Sequence, residues 1–312
     1  VDNNSVDGSL NMVIEKFPEV KIIENQNNLG FSKANNQAIK MSKGDYVLLL
    51  NPDTVVEDDT FEKIINFMDS HPEAGGLGVK MVDGNGDFLP ESKRGLPKPA
   101  VAFYKIFGLS KLFPKSKTFG QYHLSYLDED EIHEVEILSG AFMLMRKSVL
   151  DKIGLLDETY FMYGEDIDMS YRIIKAGFKN YYFPETRIIH YKGESTKKSS
   201  INYVLVFYNA IVIFAKTHFS QKNARLFSIL INLAIYFRAF LAIVKRVTDR
   251  IVLPLIDAVI IYFGIYFIQQ YWAHSVVFED GGDYPAEFLI IALPAYILVW
   301  LVSVYFSGGY DK

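Results

Sequence analysis

The sequence predicts a doubly wound α/β domain followed by C-terminal transmembrane helices, and three observations carry that prediction. From Val1 to about Ser200, short apolar runs alternate with amphipathic stretches bounded by Gly, Asn and Pro. Two later runs, Ile251–Trp272 and Ala286–Phe306, hold 22 and 21 residues; the first contains no Lys or Arg, and the second has Glu287 as its one charge. Each is long enough to cross a hydrocarbon core of ~30 Å. The 312 residues are 50% hydrophobic and 22% charged, with a mean hydropathy of +0.10, which excludes a disordered or fibrous chain and is apolar for a soluble one.

The elements follow in order. Val20–Glu24 and Tyr46–Leu50 read as buried parallel strands. Between them, Ser32–Lys43 has helical spacing at Ala34, Ala38 and Met41, with Ser32 as N-cap and Gly44 past the end. Asp59–Ser70 is amphipathic through Phe61, Ile64, Ile65 and Met68 and is closed by His71-Pro72. Strand–helix–strand–helix order implies right-handed crossovers, with ligands at the carboxyl ends of the strands. Asp83-Gly84-Asn85-Gly86-Asp87 is a hairpin turn; Phe88 and Arg94 stand where a calcium loop needs Gly and Glu. Gly75-Gly76-Leu77-Gly78 lacks the spacing of a dinucleotide fingerprint.

The domain organisation is thus 1–200 for the α/β domain, 201–250 for amphipathic or interfacial helices and 251–312 for the membrane region, with spans at about 251–272 and 286–306. Ile201–Phe219 reads as a helix packed between the α/β domain and the bilayer. Ala224–Val244 reads as interfacial, because Arg238 and Asn232 interrupt it and a mid-helix Arg costs ~2.5–3.5 kcal/mol on insertion. That leaves Lys245, Arg246 and Arg250 on the cytoplasmic side and Glu279, Asp280 and Asp283 outside. Lys192, Lys197, Lys198, Lys216, Lys222 and Arg225 form a basic set suited to lipid headgroups or a lipid diphosphate. The start at Val1-Asp2-Asn3-Asn4-Ser5, which reads as a strand end and its loop, suggests a piece of a longer protein.

There is no cysteine, so disulfides, thiolate metal sites and cysteine nucleophiles are excluded, and any metal needs oxygen or imidazole ligands. A net charge of −5 and a pI near 5.7 argue against a nucleic-acid partner. Asp53 follows the apolar strand Leu48–Leu50 and suits a hard divalent cation; Asn51-Pro52-Asp53-Thr54 also reads as a turn whose Asp53 caps the next helix. Glu165, Asp166 and Asp168 crowd the start of a helix. Macrodipole capping accounts for them, and so does a general base at Asp166, with Arg172 pairing a carboxylate or a diphosphate. His190 ends a strand in a polar loop, where a lone histidine is either a structural hydrogen-bonder or a ligand beside Asp53.

Taken in order, Asp2–Ser9, Asn28-Leu29-Gly30-Phe31 with Ala34 and Asn36, Asn51-Pro52-Asp53, Ser139–Met143, Gly164–Asp168 and His190 resemble the family 2 glycosyltransferases, in particular the rhamnosyltransferase-like branch of bacterial polysaccharide synthesis. The resemblance covers residues 1–220. It implies a GT-A fold, a Rossmann-like mixed sheet, and inverting transfer from a nucleotide diphosphate sugar. It further implies that Asp2 contacts the nucleobase, that Asn4, Asn28, Gly30, Phe31, Asn36 and Gly140 bind substrate, that Asp53 and His190 hold Mn²⁺ or Mg²⁺, and that Asp166 with Glu165 is catalytic; Arg172, read from its own position, joins the substrate-binding set. The implied partners are the sugar donor, a polyprenyl-diphosphate-linked or glycan acceptor, and the bacterial inner membrane, with the catalytic domain facing the cytoplasm. A silent nucleotide-sugar-binding scaffold is the competing reading, and the joint presence of Asp53, Asp166 and His190 speaks against it. A nucleotidyltransferase would need a Gly-rich phosphate loop that this sequence does not show.

Overall fold

The computed structural model describes residues 1–191, 201–219, 221–278 and 282–310. The chain divides into two units, Val1–Ala234 and Ile235–Lys312. The elements are α1 (Ser9–Lys16), α2 (Phe31–Met41), β1 (Tyr46–Leu50), β2 (Thr54–Val56), α3 (Thr60–Ser70), β3 (Ala74–Val82), α4 (Pro99–Ile106), α5 (Leu109–Leu112), β4 (His133–Val135), β5 (Phe142–Arg146), α6 (Lys147–Ile153), α7 (Glu165–Lys175), β6 (Lys179–His190), α8 (Ile201–His218), α9 (Gln221–Trp272) and α10 (Leu293–Phe306).

The first unit holds a mixed sheet ordered β1-β5-β3-β6-β2, with β4 paired to β6. Among the described residues, β3 with β6 is the one pair of neighbouring strands in this sheet that is parallel. Period-two alternation supplies a core to each face. Val47, Leu49, Met143 and Met145 meet Ile39 of α2, Val149 of α6 and Ile173 of α7, while Leu77, Phe142 and Leu144 meet Ile64, Phe67 and Met68 of α3. The Gly75-Gly76 run has a packing reason: a Cβ on Gly75 would lie 2.5 Å from Ile173, and one on Gly76 2.7 Å from Leu138. Glycine there lets α7 lie close on the sheet.

Several expectations are corrected. Val20–Glu24 is no strand; its one pairing is a single bridge between Glu24 and Asp2, and Val20 is half exposed. Tyr46–Leu50 is a strand, but it pairs with β5 antiparallel rather than lying in a parallel sheet. Ser32 does not cap its helix. It is buried in the first turn, and Gly30, at φ 84°, occupies the N-cap position. The hairpin at Asp83 forms, with the Asp83 carboxylate accepting from the amides of Asn85 and Asp87 and with Gly86 left-handed at φ 87°.

Helix α8 packs within the first unit through Ala210, Ile211, Phe214 and Ala215. Helix α9 runs from Gln221 to Trp272, across the boundary expected at residue 250, where its membrane-length stretch begins. In the second unit, Arg250–Val277 and Phe288–Phe306 are long and apolar enough to cross a membrane. Asp257, the charge inside the first stretch, accepts a hydrogen bond of 2.8 Å from Tyr310. Lys216, Arg225, Lys245, Arg250 and Asp283 are exposed. Lys192, Lys197, Lys198, Glu279, Asp280 and the side chains of Lys222, Asn232, Arg238 and Arg246 lie outside the described residues.

Candidate active site

Strand pairing builds the first part of the site. β2 runs antiparallel to the end of β6 with Thr54 opposite His190, and the Tyr191 amide donates to the Asp53 carbonyl at 2.9 Å. Asp53 Oδ1 is thereby held 3.3 Å from His190 Nε2, with the two side chains 14% and 10% exposed. That oxygen is buried and accepts no hydrogen bond among the described residues. Two atoms bound ~2.1 Å from one octahedral cation at right angles stand about 3 Å apart, so the pair fits as neighbouring ligands of a hard divalent ion. No cluster of three His, Asp or Glu occurs among the described residues. Asp53 does not cap the next helix, since Asp59 holds that position for α3.

A second group forms around the first loop. The Asp2 amide donates to Ile23 O, the Asn25 amide donates to Asp2 O, and hydrogen bonds from Ser5 hold the Asp2 carboxyl below its ordinary pKa. Asn4 is left-handed at φ 72°. The organiser here is Asn3, whose importance the sequence did not signal: its Nδ2 donates to Asn28 Oδ1 at 2.9 Å and its Oδ1 accepts from Leu29 N at 3.0 Å. Asp2, Asn4, Asn28 and Gly30 are therefore brought to one place. The Phe31 amide donates to Phe161 O at 2.7 Å, and a Cβ on Gly30 would lie 2.7 Å from that same oxygen, so glycine is required for this approach to the segment before α7.

Asn36 does not join them. It is buried, its Nδ2 donates to Leu156 O and Glu158 Oε1, and its Oδ1 accepts from Leu156 N. Its role is to tie α2 to the 155–158 loop.

The third part is the start of α7. Gly164, at φ 89°, turns the chain into Glu165-Asp166-Ile167-Asp168, and the three carboxylates diverge. Asp166 Oδ2 accepts from the Arg94 guanidinium and from Gly140 N at 3.4 Å, and its Oδ1 accepts from Ile167 N at 2.8 Å. Arg94 also donates to Leu138 O at 2.5 Å. Burial, the largest single effect, opposes the Arg94 charge, but the Asp166 carboxylate together with Tyr122 and Glu165 outweighs it, and the guanidinium pKa is raised. Glu165 is 6% exposed, and its Oε2 is buried without a partner among the described residues. Burial, and then the Asp166 charge, push its pKa up to about 8. Asp168 turns away to Arg172 and His218.

Arg172 is committed elsewhere: besides Asp168, it donates to the carbonyls of Ile153, Gly154 and Leu155, so it braces the end of α6 rather than reaching for a diphosphate. Gly140-Ala141 joins the parts, because Gly140 N faces Asp166 while Ala141 O accepts from Asn51 N at 3.0 Å. Arg94 was missed because it lies in an irregular stretch whose spacing carries no periodic signal.

This arrangement sets an arginine-paired carboxylate beside a buried one whose pKa is raised, one peptide segment away from a site suited to a hard cation. A family model described as Glycosyltransferase like family 2 matches residues 1–203. The chain is 27% identical over 224 residues to the N-acetylglucosaminyl-diphospho-decaprenol L-rhamnosyltransferase of Mycobacterium tuberculosis, covering 68% of this chain and 72% of that one. It is 30% identical over 173 residues to the rhamnosyltransferase WbbL of Escherichia coli, covering 52% of this chain and 61% of the relative. Among solved structures, GalNAc-T7 with UDP, GalNAc and Mn²⁺ superposes with a TM-score of 0.47 at 16% identity, over 68% of this chain and 40% of the other. With its α/β sheet and this match over residues 1–203, the chain belongs to family 2 of the glycosyltransferases.

Proposed function

We propose that this protein is a membrane-anchored inverting glycosyltransferase that moves a sugar of the rhamnose type from a nucleotide diphosphate to a lipid-linked or polysaccharide acceptor. The observation that carries the reading is the Asp166 carboxylate, fixed by Arg94 and Gly140 and linked through Ala141 to the Asn51–Asp53 turn. Asp166 takes the proton of the acceptor hydroxyl as its oxygen attacks the anomeric carbon and the bond to the diphosphate breaks. One base is sufficient for inversion, and no covalent enzyme intermediate is needed.

Glu165, protonated at neutral pH, leaves Asp166 as the single negative charge of the pair. Asp53 and His190 would hold Mn²⁺ or Mg²⁺, which would neutralise charge developing on the leaving diphosphate. Asp2, Asn4, Asn28, Gly30 and Phe31 would line the donor side. A lipid-linked acceptor is supported by the acceptor named in the mycobacterial relative and by the two membrane-length helices. Exposed Lys245 and Arg250 support a cytoplasmic placement of the first unit at the inner membrane.

The test is transfer by membranes carrying the protein, incubated with a panel of nucleotide sugars with and without chelator. Asp166→Asn is expected to abolish transfer, and Asp53→Ala to abolish its metal dependence together with most of the rate. Transfer that persists in both variants refutes the assigned roles.

A further inference from the structure

Helix α8 shares an apolar cluster with residues that flank both Arg94 and Asp166. Its buried residues Ala210 and Phe214 share one apolar cluster with Leu96, Ile137, Tyr160 and Ile167. Leu96 lies two positions beyond Arg94, and the strand bridge of Arg94 is to Ile137. Ile167 follows Asp166 directly. Contact with α7 extends to the residue before the carboxylates, since a Cβ on Gly164 would come 2.9 Å from the Ala210 Cβ.

At the other end of α8 stands a polar fastening. His218 Nε2 lies 2.6 Å from Asp168 Oδ1, with the side chains 9% and 2% exposed, and the other Asp168 oxygen holds Arg172 at 2.7 Å. The His218 ring packs edge-on against Tyr171 and tilted against Phe214, both at 4.9 Å. A buried carboxylate shared between two cationic or donor groups on different elements gives a defined geometry that apolar packing alone does not.

We infer that α8 clamps together the two elements that carry Arg94 and Asp166, and that His218 is the positioning residue that fastens the clamp to α7 through Asp168. The inference deepens the transferase reading and rests on Asp166 being the base. It also means that the helix leading into α9, which holds a membrane-length stretch, sets the geometry of the base.

The test compares the full chain in detergent with His218→Phe, which keeps a ring between Tyr171 and Phe214 but removes the donor, and His218→Gln, which restores a donor. Hydrogen–deuterium exchange is read on residues 92–97 and 160–169, with α3 and β3 as internal references. The Phe variant is expected to exchange faster in both segments and not in the references, and the Gln variant to recover protection. Turnover should fall tenfold or more in the Phe variant with the donor KM within twofold, because a base displaced by ~1 Å loses rate rather than donor binding. Unchanged exchange in the two segments, or unchanged turnover, overturns the inference. If the Phe variant loses protection everywhere, Asp168→Asn takes its place, and the same two segments must then loosen ahead of the references. Exchange is measured without substrate, so a wild-type chain that transfers no sugar refutes the transferase reading while exchange still rules on the clamp.

Discussion

Replacing Glu165 by Gln isolates the titration of this one buried side chain. The side chain is buried to 6% exposure, and its carboxyl is pushed from an ordinary 4.5 up to about 8 by burial and the neighbouring Asp166 charge. The folded state therefore prefers the protonated form. Its contribution to stability is fully present below pH 4.5 and is lost as pH rises through about 8, where the wild type must ionise a buried carboxyl. At 1.36 kcal/mol per pH unit the loss is at most ~5 kcal/mol, and water entering the site as it ionises reduces it toward ~2 kcal/mol.

Gln keeps the size and neutrality of the protonated acid and cannot titrate. The variant should match the wild type near pH 5 and exceed it by ~2–5 kcal/mol near pH 8.5. Pulse proteolysis in urea on the detergent-solubilised full chain measures this. Tryptophan fluorescence does not, because Trp272 and Trp300 are the chain's two tryptophans and both lie in the second unit. All other titrations are common to both proteins, so the difference belongs to Glu165. Parallel loss of stability in the two proteins between pH 5 and 8.5 would refute the reasoning. The same variant should keep its turnover at pH 7 within tenfold, since a protonated Glu165 is no base there.

Arg94→Met leaves Asp166 as an unpaired and largely buried charge; destabilisation of ~3–5 kcal/mol is expected by urea titration, and the double variant with Asp166→Asn should recover most of it. Asn36→Ala leaves the amide and carbonyl of Leu156 without their partner, which should lower stability by ~1–3 kcal/mol while the donor KM, measured by initial rates, stays unchanged. His190→Ala should raise the Mn²⁺ concentration for half-maximal rate by about tenfold or more, because loss of even an outer-sphere partner of a metal commonly costs that much; an unchanged metal titration removes His190 from the site.

Elements with strong local signals were legible. The apolar run of β1, the amphipathic spacing of α3 and the acidic start of α7 need only neighbouring residues to be recognised. Val20–Glu24 has the composition of a strand but finds one bridge rather than a ladder, because a strand is defined by its partner and not by its residues. β2 spans three residues, too few for a pattern, yet its register opposite β6 is what sets Asp53 beside His190. The family likeness singled out Asp53, Asp166 and His190 as candidates. It could not distinguish Asn28, which organises the first loop with Asn3, from Asn36, which is consumed by packing against Leu156.

The three acidic residues at the start of α7 show why local reading stops where it does. Within four positions of one helix turn, Glu165 is buried with its pKa raised, Asp166 is paired with Arg94, and Asp168 is locked into the scaffold. A macrodipole acts on all three alike and cannot produce that divergence. The partners do: Arg94 lies 72 residues before Asp166, Gly140 lies 26 before it, and His218 lies 50 after Asp168, while Glu165 is buried with no donor to Oε2 among the described residues. Moving Arg94 away would bring two like carboxyls into competition for a proton, and moving His218 away would leave the buried Asp168 to Arg172 alone. The environment of each carboxylate is therefore a property of the tertiary fold, set by the irregular stretch that carries Arg94 and by His218 of α8.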